Sequence, residues 1–247
     1  YNYMNKKLNI NYITDTDKVK PDFDKFIKNI PFEKQSKYYK DLNKQIVKDI
    51  PDFIIKNNSD IILKANNLLN KHLNNTLKEN NELNIWNICL TQDNFMFDFP
   101  FTLGSIIFMP LNYNNYMLKN DKQELLITFI HEQIHIYQRY NLSNWNNTIQ
   151  NHTNWKLCNF KTFNNMILNP DTFYKNYSYC YKLNNKQYYG YIDNNFNIIW
   201  IDIDTNNKYT NEKLPKQEHP FEECAYSLST DIAKKNWKII SLGGFNN

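Results

Sequence analysis

The stretch FIHEQIHIYQRY, residues 129–140, decides how this chain is read. His131 and His135 stand four apart, and Glu132 directly follows the first histidine. On an α-helix four residues advance the chain by ~400°, so both imidazoles project from nearly the same face, one turn apart. That spacing lets two imidazoles bind one ion at ~2.0–2.1 Å. Glu132 lies ~100° round from His131. It misses the ion yet reaches a water held there, which is where a general base is needed. The chain has five histidines. A random chain of its composition would carry about 0.004 copies of His-Glu-x-x-His, so chance explains the pattern poorly. The plain alternative is an amphipathic helix with two partly exposed histidines and a surface glutamate.

Around the motif the helical signal is strong. In NDKQELLITFIHEQIHIYQRY, Leu126, Phe129, Ile130 and Ile134 recur at helical spacing and face a core. Asn120 or Asp121 supplies the N-cap, and Glu124 follows Asp121 by three, as in a capping box. Upstream, NIWNICLT (84–91) and GSIIFMPLN (104–112) are short, β-branched or aromatic, and bounded by turn residues, so they read as strands. Residues 1–20 are polar and read as extended or loose. Residues 22–80 carry helical spacing punctuated by Pro21, Pro31 and Pro51, with Ser59 or Asp60 as the cap of the longest helix. Downstream, 177–183, 187–193 and 196–203 form a three-stranded meander broken by Asn- and Asp-rich turns. A last helix, 221–236, follows Pro220. The expected fold class is α+β in a single domain spanning 1–247. Its parts are an N-terminal helical region (1–80), a small mixed sheet with the motif helix (84–140), the meander and the C-terminal helix.

A zinc site needs a third protein ligand. The metzincin pattern would place a glycine at 138 and a histidine at 141, where this chain has Gln138 and Asn141. The other scheme takes a glutamate from a later helix, and HPFEECAYSL offers Glu222 and Glu223 at a helix start.

His131-Glu132-x-x-His135 followed by Glu222-x-x-Ala225-Tyr226 resembles the gluzincin-type zincin metallopeptidases. In several of those families the third-ligand glutamate is followed three residues later by Ala and four later by a polar residue. Glu222 fits that frame and Glu223 does not. The resemblance covers roughly 84–140 and 215–236. It implies a zincin-like fold with one Zn²⁺ per chain, held by His131, His135 and Glu222. It implies Glu132 as general base and a peptide or protein substrate. It implies an oxyanion donor near the third-ligand helix, for which His219 and Tyr226 are the candidates. It also implies that an edge strand above the metal helix, here 104–109, pairs with an extended substrate. Tyr226 stands where Asp is more usual, so another group must orient the first histidine. Asp231 is the nearest acidic substitute, off the motif frame. The rival class is a zinc-stabilised binding or structural protein without turnover, against which Glu132 argues. A helical interaction module with incidental histidines is the third.

Composition narrows the partners. The chain has 247 residues, 41% hydrophobic and 16% aromatic, with 4 glycines, so it can bury a core. The net charge of +4 comes from scattered lysines, not a basic arm, so no nucleic-acid partner is expected. Abundant Asn, Lys, Ile and Tyr follow A/T-rich codons, which discounts the Asn runs and the Asn-x-Ser/Thr sequons as signals. No run reaches the ~18–20 apolar residues of a membrane span, and the opening YNYMNKKLNINYIT has no apolar signal core. Cys89, Cys158, Cys180 and Cys224 form no CxxC pair and read as reduced thiols. Together these give an intracellular, cytoplasmic expectation. His72, His152 and Cys224 read as bland.

Overall fold

The computed structural model describes residues 8–28, 42–73, 84–92, 95, 99–141, 145–147, 149, 153–158, 178–192, 198–210, 212–214 and 220–242. The chain runs β1 (Asn9–Tyr12), α1 (Thr16–Ile27), α2 (Leu42–Gln45), α3 (Asp52–His72), β2 (Ile85–Thr91), β3 (Phe101–Leu103), β4 (Ile106–Pro110), α4 (Leu111–Asn120) and α5 (Lys122–Tyr140). Then follow β5 (Trp155–Cys158), β6 (Ser178–Leu183), β7 (Lys186–Ile192), β8 (Ile198–Asp202), β9 (Lys208–Tyr209) and α6 (Pro220–Leu242). The mixture of helix and sheet is α+β, as the sequence leads one to expect.

The first sheet has the order β1-β2-β4-β3. β1 and β4 pair parallel to β2, and β3 pairs antiparallel to β4. Alternation along β2 sends Trp86, Ile88 and Leu90 to one face and Cys89 to the other. The first face joins Ile107 and Met109 of β4 against α3 and α5. The second face is covered by α1, whose Val19, Phe23, Phe26 and Ile27 meet Phe101, Leu103, Ile106 and Phe108. Phe101 and Phe108 are opposite in register and stack at 4.8 Å. Each such buried side chain contributes ~1.5–3 kcal/mol relative to exposure.

Several expectations change. Residues 9–12, read as extended or loose, are extended and form a strand, because their partner β2 supplies a backbone ladder that polar NINY does not advertise. Pro21 lies inside α1 rather than before it. α3 starts at Asp52 and passes straight through Ser59 and Asp60, since Ile54, Ile61, Ile62, Ala65, Leu68 and Leu69 keep one apolar stripe continuous. Strand β4 is not an edge: β2 and β3 flank it, and all five of its residues are buried. No substrate strand can be added to it. The edge on that side is β3, and the carbonyls of its Thr102 and of Gly104 just beyond it accept from the Arg139 guanidinium.

The meander is part of a five-stranded antiparallel sheet, β5-β6-β7-β8-β9, with β5 and β9 added to the three expected strands. Cys180 in β6 is disulfide-bonded, which corrects the reading of four reduced thiols, while Cys89 and Cys224 are free. Among the described residues no helix is long and apolar enough to cross a membrane. Residues 29–41, 74–83, His152 and His219 lie outside the described residues.

Candidate metal centre

Helix α5 opens on Asp121, whose side chain accepts from the Glu124 amide at 3.0 Å, as the capping pattern requires. Its flank is buried along almost the whole length: Leu125, Phe129, Ile130 and Ile134 are fully enclosed by α3, α6 and the first sheet. The helix is therefore a fixed rod, and its two histidines are held where it points them. His135 is fully buried and His131 half-buried.

Helix α6 packs along α5, with Phe221 and Ala225 fully buried at the contact. The small Ala225 lets the two helices approach closely. Glu222 is thereby carried to both imidazoles: its Oε2 stands 3.3 Å from His131 Nε2 and 3.3 Å from His135 Nε2. The two Nε2 atoms are 3.0 Å apart. Two ligands at ~2.0–2.1 Å from one ion, at a tetrahedral angle, stand about 3.3–3.4 Å apart. The three atoms thus lie close to the triangle that a single ion requires. Among the described residues His131, His135 and Glu222 form a group that could hold a metal ion.

The electrostatics agree with the geometry. Burial by itself raises the Glu222 carboxyl, but the two imidazoles, when they carry a proton, outweigh burial and hold it below the ordinary carboxylate range. It is the ionised form, the form that binds a cation, that the site favours.

Gln138 completes the arrangement, in a role that no sequence motif announces. Its Nε2 donates to the Phe221 carbonyl at 3.0 Å, which can only accept. Its Oε1 therefore faces His135 Nδ1, at 2.8 Å, and accepts from it. The proton of His135 is fixed on Nδ1, and the Nε2 lone pair is left facing His131 and Glu222. One buried amide thus sets the tautomer of His135 and ties the motif helix to the first turn of α6. Gln138 orients the second histidine; for the first, the sequence offered only Asp231, which is exposed. The only available signal was helical spacing, three residues beyond His135.

Glu223 is excluded as the third ligand by a different contact. Its Oε2 accepts from Trp155 Nε1 at 2.6 Å, and Trp155 is 1% exposed. That bond docks the second sheet on α6 and turns Glu223 away from the histidines. Glu132 is buried beside His131, at 4% exposure. Tyr226 lies one turn beyond Glu222 and is 58% exposed. The Cys224 thiol is pushed up to about 12 by burial and by Glu223, so it stays protonated and packs. His72, at the end of α3, is exposed, in line with its bland reading.

Comparison of the chain with family models, with curated proteins and with solved structures finds no match.

Proposed function

We propose that the chain is a zinc-dependent peptidase of zincin type, with His131, His135 and Glu222 as metal ligands and Glu132 as general base. The observation that carries this reading is the convergence of three ligand atoms from two packed helices, with Glu132 retained next to His131. When bound, zinc lowers the pKa of a water from 15.7 toward ~7 and polarises a carbonyl. The residues of this chain do the rest. Glu132 takes the proton of the attacking water and returns it to the leaving amine. Gln138 keeps the His135 Nε2 lone pair directed inward. Helices α5 and α6 hold the ligand atoms before any ion arrives, so little reorganisation is needed. The substrate is a peptide or protein.

The test is cleavage of a peptide library by the zinc-loaded protein beside Glu132→Gln. The expected result is cleavage by the wild type, a loss of at least about 100-fold in the variant, and equal zinc content in both. Bound zinc without cleavage would leave the site as a structural one.

A further inference from the structure

Helix α4 sets Tyr113 against the N-terminal part of α5. The Tyr113 hydroxyl is 2.8 Å from Thr128 Oγ1, and Thr128 Oγ1 is 2.9 Å from the Glu124 carbonyl oxygen. That carbonyl can only accept, and a threonine has one proton to give. Thr128 therefore donates to Glu124, and Tyr113 donates to Thr128. The direction of the chain is settled, and it leaves the phenol oxygen as an acceptor. Among the described residues no other group donates to that oxygen.

The position matters as much as the direction. Thr128, His131, Glu132 and His135 stand at i, i+3, i+4 and i+7, which is one face of α5. Thr128 lies on the face of the candidate metal ligands, about 4.5 Å of helix rise before His131. Tyr113 is half-buried, so part of the residue is open to solvent. Burial raises its hydroxyl pKa, and Glu124, Glu132 and Asp121 add to this, so the phenol stays neutral. An extended peptide advances ~3.3 Å per residue. A substrate lying along this face of α5 and cut at the ligand triangle would bring a residue flanking the cut toward Tyr113.

We propose that Tyr113 is a substrate-contact residue whose phenol oxygen accepts a hydrogen bond from a backbone N–H flanking the scissile bond. The proposal rests on the peptidase reading and adds a substrate class to it: amide chains with a free N–H at that position, in preference to esters or N-alkylated chains.

The experiment compares wild type, Tyr113→Phe and Thr128→Val on one cleaved peptide and on copies of it N-methylated at single positions around the cut. Tyr113→Phe is expected to keep its zinc and its Tm and to lose about three- to tenfold in kcat/KM, mostly through KM. One N-methylated position should cost the wild type that same factor and cost Tyr113→Phe nothing further. Thr128→Val retains the phenol and should keep most of the wild-type kcat/KM. Unchanged kcat/KM in Tyr113→Phe, N-methyl penalties equal in both proteins, or the same loss in Thr128→Val would each overturn the contact and leave the peptidase reading standing. A zinc-loaded wild type that cuts no peptide overturns both together.

Discussion

His135 Nδ1–H donates a hydrogen bond to Gln138 Oε1 at 2.8 Å, and the Gln138 amide donates to the Phe221 carbonyl, one residue before Glu222. A candidate ligand on one helix is thereby coupled to the backbone that carries another, Glu222, on the second helix. Replacing Gln138 by Leu keeps the volume and deletes both bonds. Zinc affinity should fall about 10–100-fold, and stability should fall by about 1–3 kcal/mol as the Phe221 carbonyl loses its buried partner. Competition with a chelating dye and thermal unfolding of the apo-protein read the two effects. Unchanged affinity would mean that α5 alone fixes the His135 tautomer.

Trp155 makes a parallel prediction for the second sheet. Trp155→Phe removes the Nε1–H that Glu223 accepts and leaves the aromatic packing on Tyr181 and Trp200 largely in place. The expected cost is about 1–3 kcal/mol, since a bond to a charged acceptor is lost. Chemical unfolding followed by circular dichroism measures it. A neutral substitution would show that the sheet docks on α6 through apolar contact alone.

The second sheet also predicts a pH window. Burial alone raises the Asp202 carboxyl, but the bond from Lys186 Nζ at 3.1 Å and the amides of Thr205 and Asp204 outweigh it, and the group lies below its ordinary value. A depressed carboxyl stabilises the fold above its unfolded pKa of ~3.9 and loses that contribution as pH falls through the folded value. The Lys186 ammonium is raised by its bond to Asp202. Its contribution is complete below ~10.4 and is lost as pH rises through the folded value. The emission of the buried Trp155 and Trp200 should therefore change at both extremes. Asp202→Asn should flatten the acid limb, and an unaltered limb in that variant would contradict the assignment.

Gly104 turns β3 into β4 at φ +56°, where a side chain is strained, and a Cβ there would overlap the Asp22 carboxylate of α1. Gly104→Ala should cost about 1–3 kcal/mol. Adding Asp22→Ala removes the overlap and should recover part of that loss. Equal stability of the single and double variants would limit the effect to the backbone.

What the sequence made legible follows from where its signals were local. α5 carried a cap, an apolar stripe and the motif within 21 residues; the cap and the stripe stand as read, and both histidines of the motif lie beside Glu222. Glu222 was preferred to Glu223 only by its motif frame. The fold separates them through Trp155, in a strand that no periodicity announced, because WKLC is four residues long. β1 and β3 were missed for the same reason: strands of four and three residues are defined by the partner they pair with. Ser59 and Asp60 misled because capping residues also occur within helices whose apolar face is strong enough. Gln138 was noticed only as the residue that breaks the metzincin pattern. Its bond to Phe221 spans 83 positions and leaves no local trace.

The most direct measurement is the zinc content of the purified protein beside Glu222→Gln and Glu223→Gln. The account predicts about one zinc per chain in the wild type and in Glu223→Gln, with zinc lost or much weakened in Glu222→Gln. A wild type that takes up no zinc, even after refolding with the metal, would contradict it. So would a site emptied by Glu223→Gln and untouched by Glu222→Gln.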